Sequence, residues 1–383
     1  CIRDRPFLAL TFILVWFAPP QAGQTGLFAW MLVTMLLYDT AYTMIGLVYS
    51  ALLPEVTESD AERNALQISS SLFALLGMIL GFVIPELFRP GAEASPSLLP
   101  LRLSMVAVGL IGATCVVLTT LRVKERPEFY QVDEPLDLLD SIKFTFSSKA
   151  FLVLVSANFM SILASSLVIG TMFYLADYVM QINTMVLLAS LFIPLLIGIP
   201  ITSTIRRRLG VVGAQRLLLV VAGVGLLLIV VVPTALIPVC MAVVGFGLAG
   251  PQTLTNVLFG QVADEDELRS GVRREGAFFG VNALITKPAQ SVALALSPWI
   301  LEATKFVTRE QNMGEIFLDQ PTSALFGIRI ITGLIPGLAL LLGALILRWF
   351  PLHGDYLEKV KQETLALHAE KQAKLDAGGH GGH

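Results

Sequence analysis

EGAFFGVNALITKPAQSVALALSPWILE, residues 275–302, holds one charge, Lys287, between its terminal glutamates. The run is long enough to cross a bilayer as a helix, which takes about 20 apolar residues. At about 1.5 Å per residue, Lys287 lies roughly 18 Å along that helix from Glu275, near the midplane. A charge at that depth costs about 3 kcal/mol on insertion scales. A chain that keeps one turns it toward an interior site, so the stretch predicts a polytopic membrane protein with a buried ionic centre. Pro288 follows directly, which frees a carbonyl one turn back and favours a kink. Gln290 and Ser291 fall three and four residues on. Asn282 lies about 140° round the helix at about 100° per residue.

Composition generalises this reading. The chain is 55% hydrophobic and 14% charged, with a mean hydropathy of +0.74; soluble domains carry about 25% charged residues. Ten continuous apolar runs read as transmembrane helices: 6–20, 26–53, 65–88, 103–121, 150–177, 183–205, 217–235, 236–262, 275–304 and 322–347. Their continuity, without alternation, argues against a β-barrel. A net charge of −3 offers no basic field for nucleic acid. Cys115 and Cys240 lie inside apolar runs, so the three cysteines imply no disulfide framework. All four histidines lie at or beyond His353, which argues against a histidine-ligated metal within the membrane. No Gly-x-Ser-x-Gly, His-Glu-x-x-His or phosphate-binding loop is present, so the sequence predicts neither an enzyme nor a cofactor.

Lysines and arginines report orientation. Twenty of the 26 fall on the side of the termini and four opposite, with Lys287 and Arg329 inside helices. The split predicts both termini in the cytoplasm, in the cytoplasmic membrane. Residues 1–121 form four helices, 122–149 a central cytoplasmic loop, 150–350 six helices, and 351–383 a charged tail read as a helix followed by disorder. In the loop, Leu136, Leu139, Ile142, Phe144 and Phe146 predict a short amphipathic surface helix. A four-plus-six division is unusual. The chain opens on Cys1 with no initiator Met, so we expect two helices upstream, giving six plus six, a layout of many secondary carriers.

Two cytoplasmic segments carry further information. In PEVTESDAERNAL (54–66), Ser59 and Glu62 read as a capping box, and Asp60 and Glu62 suit the positive end of a helix. In DEDELRSGVRREG (264–276), Asp264 and its acidic neighbours end one helix while Arg273, Arg274 and Glu275 open the next, joined through Gly271. Either segment alone is also what a solvated, capped loop looks like. Together, in this order, they resemble the glycoside–pentoside–hexuronide:cation symporter family of the major facilitator superfamily, of which the melibiose carrier is a member. The acidic loop with Glu62 and Arg63 is similar to that family's segment after its fourth helix. Asp264 to Lys287 resembles the loop and helix near its C-terminus, lysine included. Arg3-Asp4-Arg5-Pro6 and the run Ile205-Arg206-Arg207-Arg208-Leu209-Gly210 resemble further loops of the superfamily.

The resemblance implies a major facilitator-type two-bundle fold, alternating access, and uptake of a small-molecule solute coupled to Na⁺ or H⁺. It implies a monomer in the lipid bilayer, with the principal cation-ligating aspartates on an upstream helix outside this chain. The family's sugar-contacting aspartate aligns with Gly46 and an arginine with Ser71; both departures weigh against galactoside recognition, whereas Tyr42 matches.

From the residues themselves, Asp39, Tyr42, Gly46 and Tyr49 form one stripe of the helix 26–53. An acid and two tyrosines suit a sugar, whose hydroxyls seek acceptors and whose faces stack on rings; packing between helices is the other reading. Lys287 is expected to bridge to Asp39, or to an acid upstream, in a pair reset by cation binding; a purely structural ion pair is the alternative. The stretch GFGLAGPQTLTN (245–256) predicts either an interrupted helix presenting Thr255 and Asn256 to a site or a close-packing stripe. Asn282 joins these candidates, with Asn158, Ser161, Ser165 and Tyr174 as weaker ones. Arg329 is expected to snorkel to the outer interface. A sugar or glycoside is the expected solute. A lysolipid, or a non-transporting receptor, scaffold or truncated inactive carrier, are the alternatives.

Overall fold

The computed structural model describes residues 5–19, 21–56, 60–87, 98–122, 145–271, 275–308 and 317–378. Among the described residues the secondary structure is helical, without strands. Inside a bilayer no water satisfies backbone groups, and a helix satisfies them internally. The helices are α1 (Arg5–Trp16), α2 (Gln24–Val56), α3 (Asp60–Leu87), α4 (Leu99–Arg122), α5 (Lys149–Tyr174), α6 (Thr184–Val231), α7 (Ile237–Ser270) and α8 (Glu275–Ala303). They continue with α9 (Thr322–Arg329), a π-helical turn Ile330–Leu334, α10 (Ile335–Ile346) and the tail helix α11 (Gly354–Gly378). Seven stretches among the described residues are long and apolar enough to cross a membrane. α8, interrupted by Asn282, Lys287 and Gln290, is not among them, and α1 is shorter than a crossing.

Two expected helices, 183–205 and 217–235, are one helical run, α6, broken only at Gly210, whose φ of 72° and ψ of 173° lie outside helical geometry. Leu191 packs against Gly245, and Leu218 and Ala222 against Gly247. The two contact points on α6 would be roughly 40 Å apart on a straight helix. They meet neighbouring residues of α7, so the limbs fold back on each other at Gly210, and the expected loop is compressed to a single residue that tolerates positive φ. Leaving the tail helix aside, and counting both limbs of α6 and α9 to α10 as one leg, gives ten helical legs among the described residues, four before residue 123 and six after 144.

The chain divides into two compact units: Cys1–Glu58 with Leu76–Pro127, and Ser59–Leu75 with Glu128–His383. The first half of α3 therefore groups with the later helices. In the first unit α1 packs on α2 and α4. The Trp30 indole donates to the Leu14 carbonyl at 3.2 Å, and the Phe12 ring lies 3.0 Å from where a Cβ on Gly109 would be.

In the second unit α7 is clasped between the limbs of α6. A Cβ on Gly245 would collide with the Leu191 carbonyl, and one on Gly250 would sit 2.8 Å from Leu218 Cβ. Lipid offers no hydrophobic drive between helices, so association rests on such backbone approach. Of the two readings of 245–256, the helix break is absent: α7 is continuous through Pro251, and the glycines form the close-packing stripe. Phe151, Phe259 and Phe278 are buried and join α5, α7 and α8, with ring centroids 6.3 and 5.2 Å apart. Arg329 does not simply reach for an interface. Its Nη1 donates to the carbonyl of Val232 at 2.9 Å, and to those of Ile229 and Val230 at 3.4 Å, covering the orphan carbonyls that every helix C-terminus leaves.

Candidate functional site

In the second unit, the Asn158 side-chain amide of α5 donates to Asn282 Oδ1 of α8 at 2.9 Å, and both residues are partly buried. The Asn282 carbonyl accepts the Thr286 hydroxyl at 2.8 Å. Lys287 follows immediately and is itself partly buried; its carbonyl accepts the Ser291 hydroxyl at 3.4 Å. Asn282 and the weaker candidate Asn158 are thus brought together, within two turns of the lysine. Ser161 is committed to its own helix, donating to the Ala157 carbonyl at 3.0 Å. Tyr174 joins an aromatic group with Tyr178 and Phe306, at centroid distances of 6.1 and 5.7 Å.

A second polar cluster links α3 to α7. Ser71 Oγ donates to the Gln252 carbonyl at 3.0 Å, Gln67 Nε2 approaches Ser71 Oγ at 3.3 Å, and Asn256 Nδ2 donates to Gln67 Oε1 at 3.3 Å. Gln67 and Ser71 are buried. Asn256 is therefore engaged with α3. Thr255 is buried and accepts from Gln215 Nε2 at 3.2 Å, which ties it to α6. Gln67 was not singled out in the sequence. Its signal was available: Gln67 and Ser71 are four apart, so they share a face of α3.

In the first unit, Asp39 and Tyr42 are exposed at mid-helix on α2. The Tyr42 ring stacks on Tyr38 at 6.1 Å, which in turn meets Phe12 at 5.8 Å. Tyr49 parts company with this stripe: its hydroxyl donates to the Val116 carbonyl of α4 at 3.2 Å, a packing contact within the unit. A Cβ at Gly46 would meet nothing within 4 Å, so packing does not demand glycine there.

Of the loop residues, Glu62 is exposed in the first turn of α3, where Arg63 also lies, and Glu275 opens α8. Arg273 and Arg274 lie outside the described residues. So do Arg3, Asp4, Ser59, the loop residues Leu136, Leu139, Ile142 and Phe144, and His380 and His383. Asp264 is not on a loop. α7 continues past the expected end at 262 to Ser270 and stops at Gly271, whose φ of 75° provides a left-handed cap.

The reason α7 continues lies in the tail. Asp264, Glu265, Asp266 and Glu267 are all buried, which sets aside the alternative reading of this segment as a solvated loop. Glu267 is only 1% exposed and takes Lys371 Nζ at 2.9 Å and His368 Nε2 at 2.9 Å. The Tyr356 hydroxyl donates to Glu265 at 2.8 Å. That hydrogen bond, followed by burial and the carboxylate's own charge, raises the Tyr356 pKa, with Arg269 opposing. Val360, Thr364, His368 and Lys371 are buried along one face of α11. Their spacing of four, four and three is a helix-face signal present in the sequence.

Amides, hydroxyls and an ammonium group held part-way along apolar helices can bind a polar solute without making or breaking bonds. Such groups in a helical membrane bundle suit passage of a polar solute, and the family that the chain matches makes it an integral membrane transporter rather than an enzyme. The chain belongs to the family described as MFS/sugar transport protein, whose model matches residues 5–354. It is 22% identical to the sodium-dependent lysophosphatidylcholine symporter 1 of Gallus gallus over 414 residues, covering 98% of this chain and 77% of that one. It is 21% identical to the isoprimeverose transporter of Lactiplantibacillus pentosus, covering 96% of this chain and 75% of that one. Among solved structures, the Escherichia coli fucose:proton symporter shares the fold with a TM-score of 0.62 at 14% identity, over 91% of this chain and 83% of that one.

Proposed function

We propose that the chain is a monomeric, cation-coupled symporter of a sugar or glycoside, working by alternating access in the cytoplasmic membrane with both termini inside. The observation that carries this reading is the Asn158–Asn282 pair, partly buried and within two turns of Lys287. Paired carboxamides offer both donors and acceptors, which is what a polyhydroxylated solute requires. The isoprimeverose transporter supports a glycoside by name. In this reading Asn282 and Asn158 contact the solute, and Lys287 carries the coupling with Na⁺ or H⁺. Thr255 and Asn256 are engaged between helices of the second unit, and the Tyr49 hydroxyl is engaged within the first.

A second reading, a lysolipid solute, is favoured by the lysophosphatidylcholine symporter matched over 98% of this chain. Uptake into proteoliposomes under an inward Na⁺ or H⁺ gradient separates them. Competition by unlabelled glycosides supports the first; competition by lysophospholipids alone replaces it with the second. Accumulation of neither under any gradient argues against both.

A further inference from the structure

Two matched helical stripes lie side by side on the second unit. On α6 the stripe is Gly213, Arg216, Leu217 and Val220, with offsets of three, four and seven. On α10 it is Leu341, Ala344 and Leu345. Between them is an open groove of about 460 Å³.

The helices run antiparallel: Gly223 approaches Gly337 and Leu341, Gly333 approaches Leu226, and Arg329 reaches Val232. A Cβ on Gly223 would lie 3.1 Å from the Gly337 carbonyl, so the backbones are nearly in contact there. Toward Gly213 and Leu345 the groove opens between them. Its walls are apolar and open to the outside: Leu217 is 43% and Leu345 48% exposed.

The polar groups at its mouth are cationic. Arg216 lines the groove and is exposed. Just beyond the end of α10, in the 3₁₀ turn Leu347–Trp349, Arg348 is also exposed, beside the exposed Trp349. Arg207 and Arg208, both exposed, precede the Gly210 bend on the same side. An apolar slot ending in arginines, at a cluster of basic residues flanking a membrane helix, matches an acyl chain with a negatively charged head.

We propose that this groove is a binding site for an anionic phospholipid, one chain lying against Leu217, Val220 and Leu345 and the phosphate held by Arg216 and Arg348. The occupant is a phospholipid of the arginine-rich leaflet. It is a resident lipid, separate from any transported solute, and the site stands whether that solute is a sugar or a lysolipid.

The test uses the full chain purified in mild detergent and offered phosphatidylglycerol and phosphatidylcholine at equal concentration. Retained lipid is read by native mass spectrometry and Tm by thermal unfolding. Two guanidiniums near an anionic head predict retention of phosphatidylglycerol over phosphatidylcholine by roughly tenfold or more. They also predict a higher Tm with the anionic lipid. R216Q/R348Q should abolish the preference, and Leu217→Trp, which fills the slot and keeps both charges, should lower retention of both lipids. Equal retention of the two lipids would overturn the proposal, as would a preference that survives R216Q/R348Q. If R216Q/R348Q does not fold, the Leu217→Trp arm decides, and undiminished retention there overturns the proposal. A Tm shift from glycerol 3-phosphate equal to that from phosphatidylglycerol would also overturn it, because the acyl chain would then contribute nothing.

Discussion

Asn158 and Asn282 meet across the α5–α8 boundary with one carboxamide donating to the other at 2.9 Å. Each keeps further hydrogen-bonding capacity, since an asparagine carries two N–H donors and an acceptor oxygen. If the pair binds the solute, Asn158→Ala and Asn282→Ala should each raise KM for uptake. Their effects should be less than additive, with a coupling of about 0.5–1.5 kcal/mol. A double-mutant cycle on uptake measures this; strict additivity would separate the two residues functionally.

The glycines of α7 are constrained by backbone approach. Gly245→Ala forces a Cβ into the Leu191 carbonyl, whereas Gly280→Ala on α8 meets nothing within 4 Å. Overpacking of this kind costs about 1–3 kcal/mol. Thermal unfolding in detergent should therefore show a clear drop in Tm for Gly245→Ala and little change for Gly280→Ala. Equal behaviour of the two would contradict the clasp of α7 between the limbs of α6.

The tail helix is held by a buried pair. Lys371 and Glu267 are 5% and 1% exposed, and removing one partner from such a pair costs about 3–5 kcal/mol. Lys371→Met should release α11, seen as faster hydrogen exchange and proteolysis across 354–378. Adding Glu267→Gln to it should restore part of the protection. Unchanged proteolysis in Lys371→Met would mean that the tail docks by other contacts.

Tyr356 gives the same docking an alkaline limit. Its hydrogen bond to Glu265 favours the neutral phenol and raises its pKa on folding. A group with a raised folded-state pKa contributes stability fully below its unfolded value, about 10 for tyrosine. That contribution is lost as pH rises through the folded value. Tail protection should therefore hold through neutral pH and fall only above about pH 10, and Tyr356→Phe should remove that step.

The helices were legible in the sequence because continuous apolar runs report bilayer crossings directly. Lys287 and Asn282 were legible because polarity inside such a run is rare. The single-residue turn at Gly210 was not, since three arginines before it read as a loop and backbone angle leaves no compositional trace. GFGLAGPQ was ambiguous for a physical reason: the same small residues that allow a helix to break allow it to pack closely, and only the position of Leu191 and Ala222 decides. The buried acids at 264–267 were hidden because their partners, His368 and Lys371, lie about a hundred residues away in a segment whose charge suggested solvent.

Gradient-driven uptake by Lys287→Ala in proteoliposomes, set beside solute exchange without a gradient, decides whether the ammonium group carries coupling. Accumulation should disappear while insertion, Tm and exchange persist. Accumulation equal to that of the unmodified chain would contradict the coupling role and leave Lys287 as a structural charge.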